Sequence, residues 1–181
     1  MKFRFFHIIA YMEPIKSERL ILRPFTLSDA AFIFDLVNQP SFIQNIGDRG
    51  IRTLSDAEKY LKNGPMSSYA KNGFGLLAVT QNDTGQPIGM CGLIKRDTLE
   101  DVDIGYAFLP RFWSKGYALE SAQAVMNHAK DIVGLKRVVA IVDPANARSI
   151  RLLEKIGMTF EKTVKLAEDD IDLKLFSISL S

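Results

Sequence analysis

The stretch Phe112-Trp113-Ser114-Lys115-Gly116-Tyr117-Ala118 marks the place where the hydrophobic period of this chain changes. Before it, Val102, Ile104, Tyr106 and Phe108 alternate with Asp103, Gly105 and Ala107, the two-residue period of a strand. After it, Leu119, Ala122, Met126, Ala129 and Val133 recur at steps of three and four, which predicts a helix from about Tyr117 to Val133, ended by Gly134. A strand that feeds a helix through a short turn leaves the first N–H groups of the helix without intrahelical acceptors. Those donors, with the positive end of the helix dipole, form an anion site. Gly116 lets the backbone curve with no Cβ in the way, Ala118 lets a phosphate come close, and Lys115 supplies a full positive charge nearby. The same residues also read as a plain loop with a glycine before an ordinary helix. They match neither the P-loop spacing Gly-x-x-x-x-Gly-Lys-Ser/Thr nor the dinucleotide-binding Gly-x-Gly-x-x-Gly.

Working outward, Val138 to Val142 is a continuous β-branched run, as expected of a strand buried on both faces. A helix follows from near Asn146, carries Ile150, Leu153 and Ile156 inward, and stops at Gly157. Leu173 to Leu180 reads as a closing strand. On the N-terminal side, Phe74 to Thr80 and Ile88 to Ile94 flank the polar turn Gln81 to Pro87, a hairpin signal. Arg19 to Arg23 predicts a short strand closed by Pro24. Thr26-Leu27-Ser28-Asp29 and Thr53-Leu54-Ser55-Asp56 each read as a helix start with a hydroxyl cap and an acid three residues on. The second of these helices is expected to stop at Asn63-Gly64-Pro65. The order of elements predicts a single α+β (α/β) domain around one mixed sheet.

The 181 residues fit one domain, with 47% hydrophobic and 24% charged residues, the profile of an ordinary globular protein. Its single cysteine, Cys91, rules out an internal disulfide and any cysteine-rich metal site. No other metal-ligand spacing is present, so no metal is expected. With 23 basic residues interspersed among 21 acidic ones and a net charge of +2, no broad nucleic-acid footprint is expected. No apolar run reaches the ~20 residues of a membrane span, and a cytoplasmic location is expected. Residues 1–11 begin basic and apolar but lack a cleavage pattern, so they read as an extension ahead of a domain at 12–181.

Trp113-Ser114-Lys115-Gly116-Tyr117-Ala118 resembles the Gln/Arg-x-x-Gly-x-Gly/Ala signature of the GNAT acetyltransferases. Trp at its first position is similar to the branch that contains ribosomal-protein N-terminal acetyltransferases, with Ser114 where that branch has Gly. Glu18-Arg19-Leu20-Ile21-Leu22-Arg23-Pro24-Phe25, Ile104-Gly105-Tyr106, Asn146 to Met158, and Asp172 to Phe176 resemble the same branch in the same order, so the likeness runs from about Ile15 to Ile178. It implies a central, mostly antiparallel sheet flanked by helices, in which two parallel strands, here Val102 to Leu109 and Val138 to Val142, splay apart to admit acetyl-CoA. It further implies that backbone groups at Phe108 and Leu109 pair with the pantetheine arm. The loop from Trp113 through Ser114, Lys115, Gly116 and Tyr117 to Ala118 would hold the pyrophosphate, and Asn146 would contact the cofactor arm. Ser149 occupies the position of the residue that protonates the departing thiolate.

From the residues alone, Asn146 is an ordinary helix cap and Ser149 a solvated first-turn residue. Asp103, on a strand face with the small Gly105 and Ala107, is a candidate general base or a surface acid, and Glu100 is a weaker candidate. Tyr106 reads first as a packing residue, with a site role as the alternative, Cys91 as core and His128 as exposed. The acceptor expected is a primary amine: first a peptide or ribosomal-protein N-terminus, second a small amine such as a polyamine, amino acid or antibiotic. The helices from Thr26 to Lys62 are expected to frame it. An acyl-CoA-binding sensor without catalysis is the other class in play. The protein is expected to be a monomer or homodimer.

Overall fold

The computed structural model describes residues 12–167 and 170–180, so the expected extension at 1–11 lies outside the described residues. Eight strands form one sheet: β1 (Ile15–Lys16), β2 (Leu20–Arg23), β3 (Leu76–Gln81), β4 (Pro87–Ile94), β5 (Asp103–Phe108), β6 (Arg137–Val142), β7 (Thr159–Val164) and β8 (Leu173–Ser179). Their spatial order is β1-β2-β3-β4-β5-β6-β8-β7. Every neighbouring pair is antiparallel except β5 and β6.

That exception is short. The β5–β6 register consists of Asp103 opposite Val139. By contrast β6 pairs with β8 over its whole length, from Arg137–Ser179 to Val142–Lys174, and β5 with β4 from Asp103–Ile94 to Phe108–Gly89. Beyond the first residue of β5, the two central strands part.

Helices cover both faces, as the alternation of the strands requires. α1 (Ala30–Val37) and α3 (Leu54–Leu61) bury Ile33, Leu36, Val37, Ala57 and Leu61 against Ala78, Met90 and Leu109. α5 (Tyr117–Asp131) buries Ala122, Val125, Met126 and Ala129 on the opposite face, with Leu77, Val79, Cys91 and Ile104. Gly134, at φ +77°, turns the chain after α5 in the left-handed conformation that glycine adopts without strain. α6 (Ala147–Lys155) then lies beside the splay. No helix among the described residues is long and apolar enough to cross a membrane.

Besides the two-residue β1, three elements depart from the sequence expectation. A seven-residue helix, α2 (Pro40–Ile46), begins on a proline whose missing N–H needs no partner in a first turn. β7 is an edge strand exposed along most of its length, so no hydrophobic alternation announces it. The helix from Thr53 does not stop at Asn63-Gly64-Pro65. It widens into a π turn over Lys62–Met66 and continues as α4 (Ser67–Asn72). The i→i+5 pairing of a π turn makes room for the ring of Pro65 and for the donor it lacks.

That continuation places Tyr69 in the core with no solvent exposure. Its hydroxyl accepts from the Phe25 N–H at 3.1 Å and donates to the Leu76 carbonyl, fastening the exit of β2 to the entry of β3. Tyr69→Phe strands both backbone groups in a dry environment. The variant is expected to lose about 2 kcal/mol in urea unfolding at unchanged m-value, and an unshifted midpoint would show that the hydroxyl carries no such load.

Candidate active site

The site starts from what the splay leaves unpaired. Along β5, backbone groups of successive residues point to opposite neighbours. The Leu109 N–H donates to the Ile88 carbonyl on the β4 side at 3.0 Å. Leu109 therefore has its amide committed to the sheet and is fully buried, contrary to the expectation that it pairs with the cofactor arm. The groups of Tyr106 and Phe108 face the other way, toward β6, and there the two strands have separated. Phe108 lies on this open edge.

The chain leaves β5 through a tight turn at Pro110–Phe112. Trp113 then folds back, and its indole N–H donates to the Phe108 carbonyl at 2.8 Å. Ser114 takes φ +61° and Gly116 φ +83°, so the backbone reverses twice within three residues. Ser114 is the only non-glycine described with positive φ, a conformation that costs an L-residue on the order of 1 kcal/mol. The first intrahelical bond of α5 runs from the Glu120 N–H to the Gly116 carbonyl at 3.0 Å. The N–H groups of Tyr117, Ala118 and Leu119 thus precede the first helical bond and remain donors for something outside the helix.

These elements border a cleft of about 710 Å³. Trp113, Ser114, Gly116, Tyr117 and Ala118 line it from the loop, Tyr106 and Phe108 from β5, and Asn146, Arg148, Ser149, Arg151 and Lys155 from α6; Ser41, Gln44, Asn45 and Ile46 of α2 close it. Lys115 is the loop residue that does not line it: its ammonium sits 5.5 Å from the Phe112 ring centroid. The cations at the cleft come instead from one face of α6. Arg148 stacks over the Trp113 ring at 4.3 Å and so bridges α6 to the loop.

Asn146 caps α6, its Oδ1 accepting from the Ser149 N–H at 3.1 Å. The capping role and a place in the cleft coexist. Ser149 Oγ lies 2.6 Å from the Tyr106 hydroxyl across the splay. When Tyr106 donates to Ser149 Oγ, the Ser149 O–H stays uncommitted; when Ser149 donates, the Tyr106 O–H reaches the Ser149 carbonyl at 3.4 Å. Burial pushes the Tyr106 phenol well above its ordinary range, so it stays protonated. Its contact with Ser149 is invisible in the sequence, where alternation puts packing first for Tyr106.

Asp103 is not brought to the cleft. It lies at the start of β5, 1% exposed, with Arg96 Nε donating to its two oxygens at 3.1 and 3.2 Å. On its face, Gly105 makes room for protein, since a Cβ there would stand 2.6 Å from Ile94 Cδ1, whereas Ala107 lines the cleft. Cys91 is buried in the core as expected, whereas His128 is half-buried.

A model of the acetyltransferase (GNAT) domain matches residues 19–159. The chain belongs to the GNAT acetyltransferase family. A relative in Bacillus subtilis, the uncharacterized N-acetyltransferase YnaD, is 28% identical over 147 residues, 81% of this chain and 83% of that one. The GNAT-family acetyltransferase of Bacillus anthracis has the same fold at a TM-score of 0.77, with 25% identity, covering 93% of this chain and 99% of the other. RimL, a ribosomal-protein α-N-acetyltransferase solved with coenzyme A, shares the fold at 20% identity and a TM-score of 0.79, covering 93% and 98%. This GNAT protein is accordingly an acetyl-CoA-dependent N-acetyltransferase.

Burial pushes the Asp103 carboxyl up to about 6 despite Arg96. The folded protein therefore holds this proton to a higher pH than the unfolded chain does. Its contribution to stability is fully present below about pH 4 and is lost as pH rises through about 6. The difference in unfolding free energy between the wild type and Asp103→Asn is expected to drift in favour of the variant across that window. Parallel pH–stability curves would remove the carboxyl from that balance.

Proposed function

We propose that this GNAT enzyme transfers the acetyl group of acetyl-CoA to the α-amine of a polypeptide N-terminus by direct attack on the thioester. The observation that carries the reading is the chemistry lining the cleft. Among the described residues it consists of hydroxyls, amides, aromatic and apolar groups and three cations, with neither carboxylate nor imidazole. A lysine side chain, with a reference pKa near ~10.4, needs a base to shed its proton at neutral pH. An α-amine, near ~7.7–8.0, is already partly neutral and loses its proton to water. The likeness to RimL supports the same acceptor class.

In this reading the free amides of Tyr117, Ala118 and Leu119 and the loop backbone at Ser114–Gly116 receive the pyrophosphate. The open edge of Tyr106 and Phe108 holds the pantetheine amides as a strand would, and Trp113 fixes Phe108 in that role. Asn146 sets the start of α6 against the arm, and Arg148, Arg151 and Lys155 balance phosphate charge. The amine nitrogen bonds to the carbonyl carbon, the C–S bond breaks, and the Tyr106–Ser149 pair gives a hydroxyl proton to the sulfur. The proton lost by the amine goes to solvent, which restores the pair. Asp103, turned into the protein and held by Arg96, takes no proton from the amine.

The test is calorimetric binding of acetyl-CoA followed by CoA release with peptides of free N-terminus, the same peptides blocked but carrying lysine, and small amines. Release with free N-termini, rising with pH through about 8, is the expected result. Release with small amines alone would replace the acceptor, and binding without release from any amine would leave a sensor. Ser149→Ala and Tyr106→Phe are each expected to lower kcat about tenfold with little change in acetyl-CoA affinity. Because the two hydroxyls act as one donor, the double variant should be scarcely slower than either single one. Multiplying effects would show that they act separately.

A further inference from the structure

Arg19 precedes β2, does not line the cleft, and reaches the phosphate loop from outside it. Its guanidinium touches the whole loop–helix junction. Nη1 donates to the Lys115 carbonyl at 2.9 Å, and Nε donates to Glu120 Oε2 at 2.7 Å. The guanidinium carbon lies 4.7 Å from the centroid of the Tyr117 ring. Nη2 sits 3.2 Å from where a Cβ on Gly116 would stand. The arginine is itself held, since its own N–H and the Ser17 hydroxyl both donate to Glu120 Oε1 at 2.7 Å.

We propose that Arg19 is a positioning residue of the donor site, one that sets the preference for acyl donors carrying a pyrophosphate; this rests on the assignment of Ser114–Ala118 as the phosphate loop. Two physical effects carry it. In a trans peptide the C=O and the following N–H point in opposite directions, and no cis bond is present among the described residues. Holding the Lys115 carbonyl toward Arg19 therefore turns the Gly116 N–H away from Arg19, to the side where the phosphate loop opens. The second effect is charge. Glu120 lies in the first turn of α5, where a carboxylate favours the helix but repels a bound phosphate. Burial raises its carboxyl, yet the hydrogen bonds from the Arg19 N–H, Ser17 and the guanidinium outweigh this and keep it ionised. Arg19 neutralises that charge while fixing the loop.

The experiment compares kcat/KM for acetyl-CoA with kcat/KM for acetyl-pantetheine, which presents the same thioester without phosphates. The wild type is expected to prefer acetyl-CoA, and Arg19→Ala to reduce the ratio about tenfold or more. General loosening of the fold would lower both values together and leave the ratio in place. If thermal melting shows Arg19→Ala to be unfolded, the same ratio is read in Arg19→Lys, which keeps the charge without the fork and should lose part of the preference. A variant that is folded and keeps the full wild-type ratio overturns the proposal. A wild type that uses both donors equally well overturns the loop assignment instead, so the two failures are distinguishable.

Discussion

The site depends on a parallel strand pair that is joined at one register position and then opens. Pairing continued along β5 and β6 would fill the edge of β5 with the groups of β6, and no cleft would form. What holds the strands apart is built into both sides. On β6, the long antiparallel register with β8 fixes the strand independently of β5. On β5, the full register with β4 does the same. On the β5 side the Trp113 indole satisfies the Phe108 carbonyl that the ladder leaves unpaired, and the Tyr106 hydroxyl reaches Ser149 on α6.

Features carried by local chemistry were legible in the sequence. The change of period at Phe112–Ala118 locates the loop, α5 and the strand before it to within a residue or two. The reciprocal cap of Thr53 and Asp56 forms as the residue types require. What could not be read is set by neighbours distant in the chain. Alternation states which face Tyr106 occupies, but not that Ser149, 43 positions later, meets it there. For Asp103 the same periodicity invites a catalytic reading, while the deciding fact is Arg96 on the return of the hairpin. The direction of the Leu109 amide depends on one residue of register, which in a strand exchanges one neighbour for the other. The proline in Lys62–Met66 looks like a stop because a π turn leaves no compositional mark.

Charge is distributed around the cleft with the same economy. Carboxylates in the surrounding elements do not line the cleft and are matched to cations: Glu120 to Arg19, Asp35 to Arg111, and the buried Asp103 to Arg96. The cations of α6 face inward. An anionic donor thus meets helix amides and guanidinium groups with little carboxylate repulsion, and the field it enters was arranged during folding. The left-handed Ser114 is the local cost, on the order of 1 kcal/mol, of aiming consecutive amides at one point.

The two halves of the cleft are made to different standards of rigidity. The donor half rests on paired strands, a 15-residue helix and the bracing of the loop from both sides. The opposite wall is supplied by α2, which has seven residues. A helix that short does not persist alone in water, so its placement depends on Phe42 anchored in the core beside α1 and α3. Its cleft-facing groups, Ser41, Gln44, Asn45 and Ile46, are neutral and adaptable. In the proposed function donor recognition would rest on backbone geometry held in place by paired strands and by the side chains that brace the loop. By the same proposal the acceptor would meet this short helix, whose cleft-facing side chains can be exchanged without disturbing the sheet.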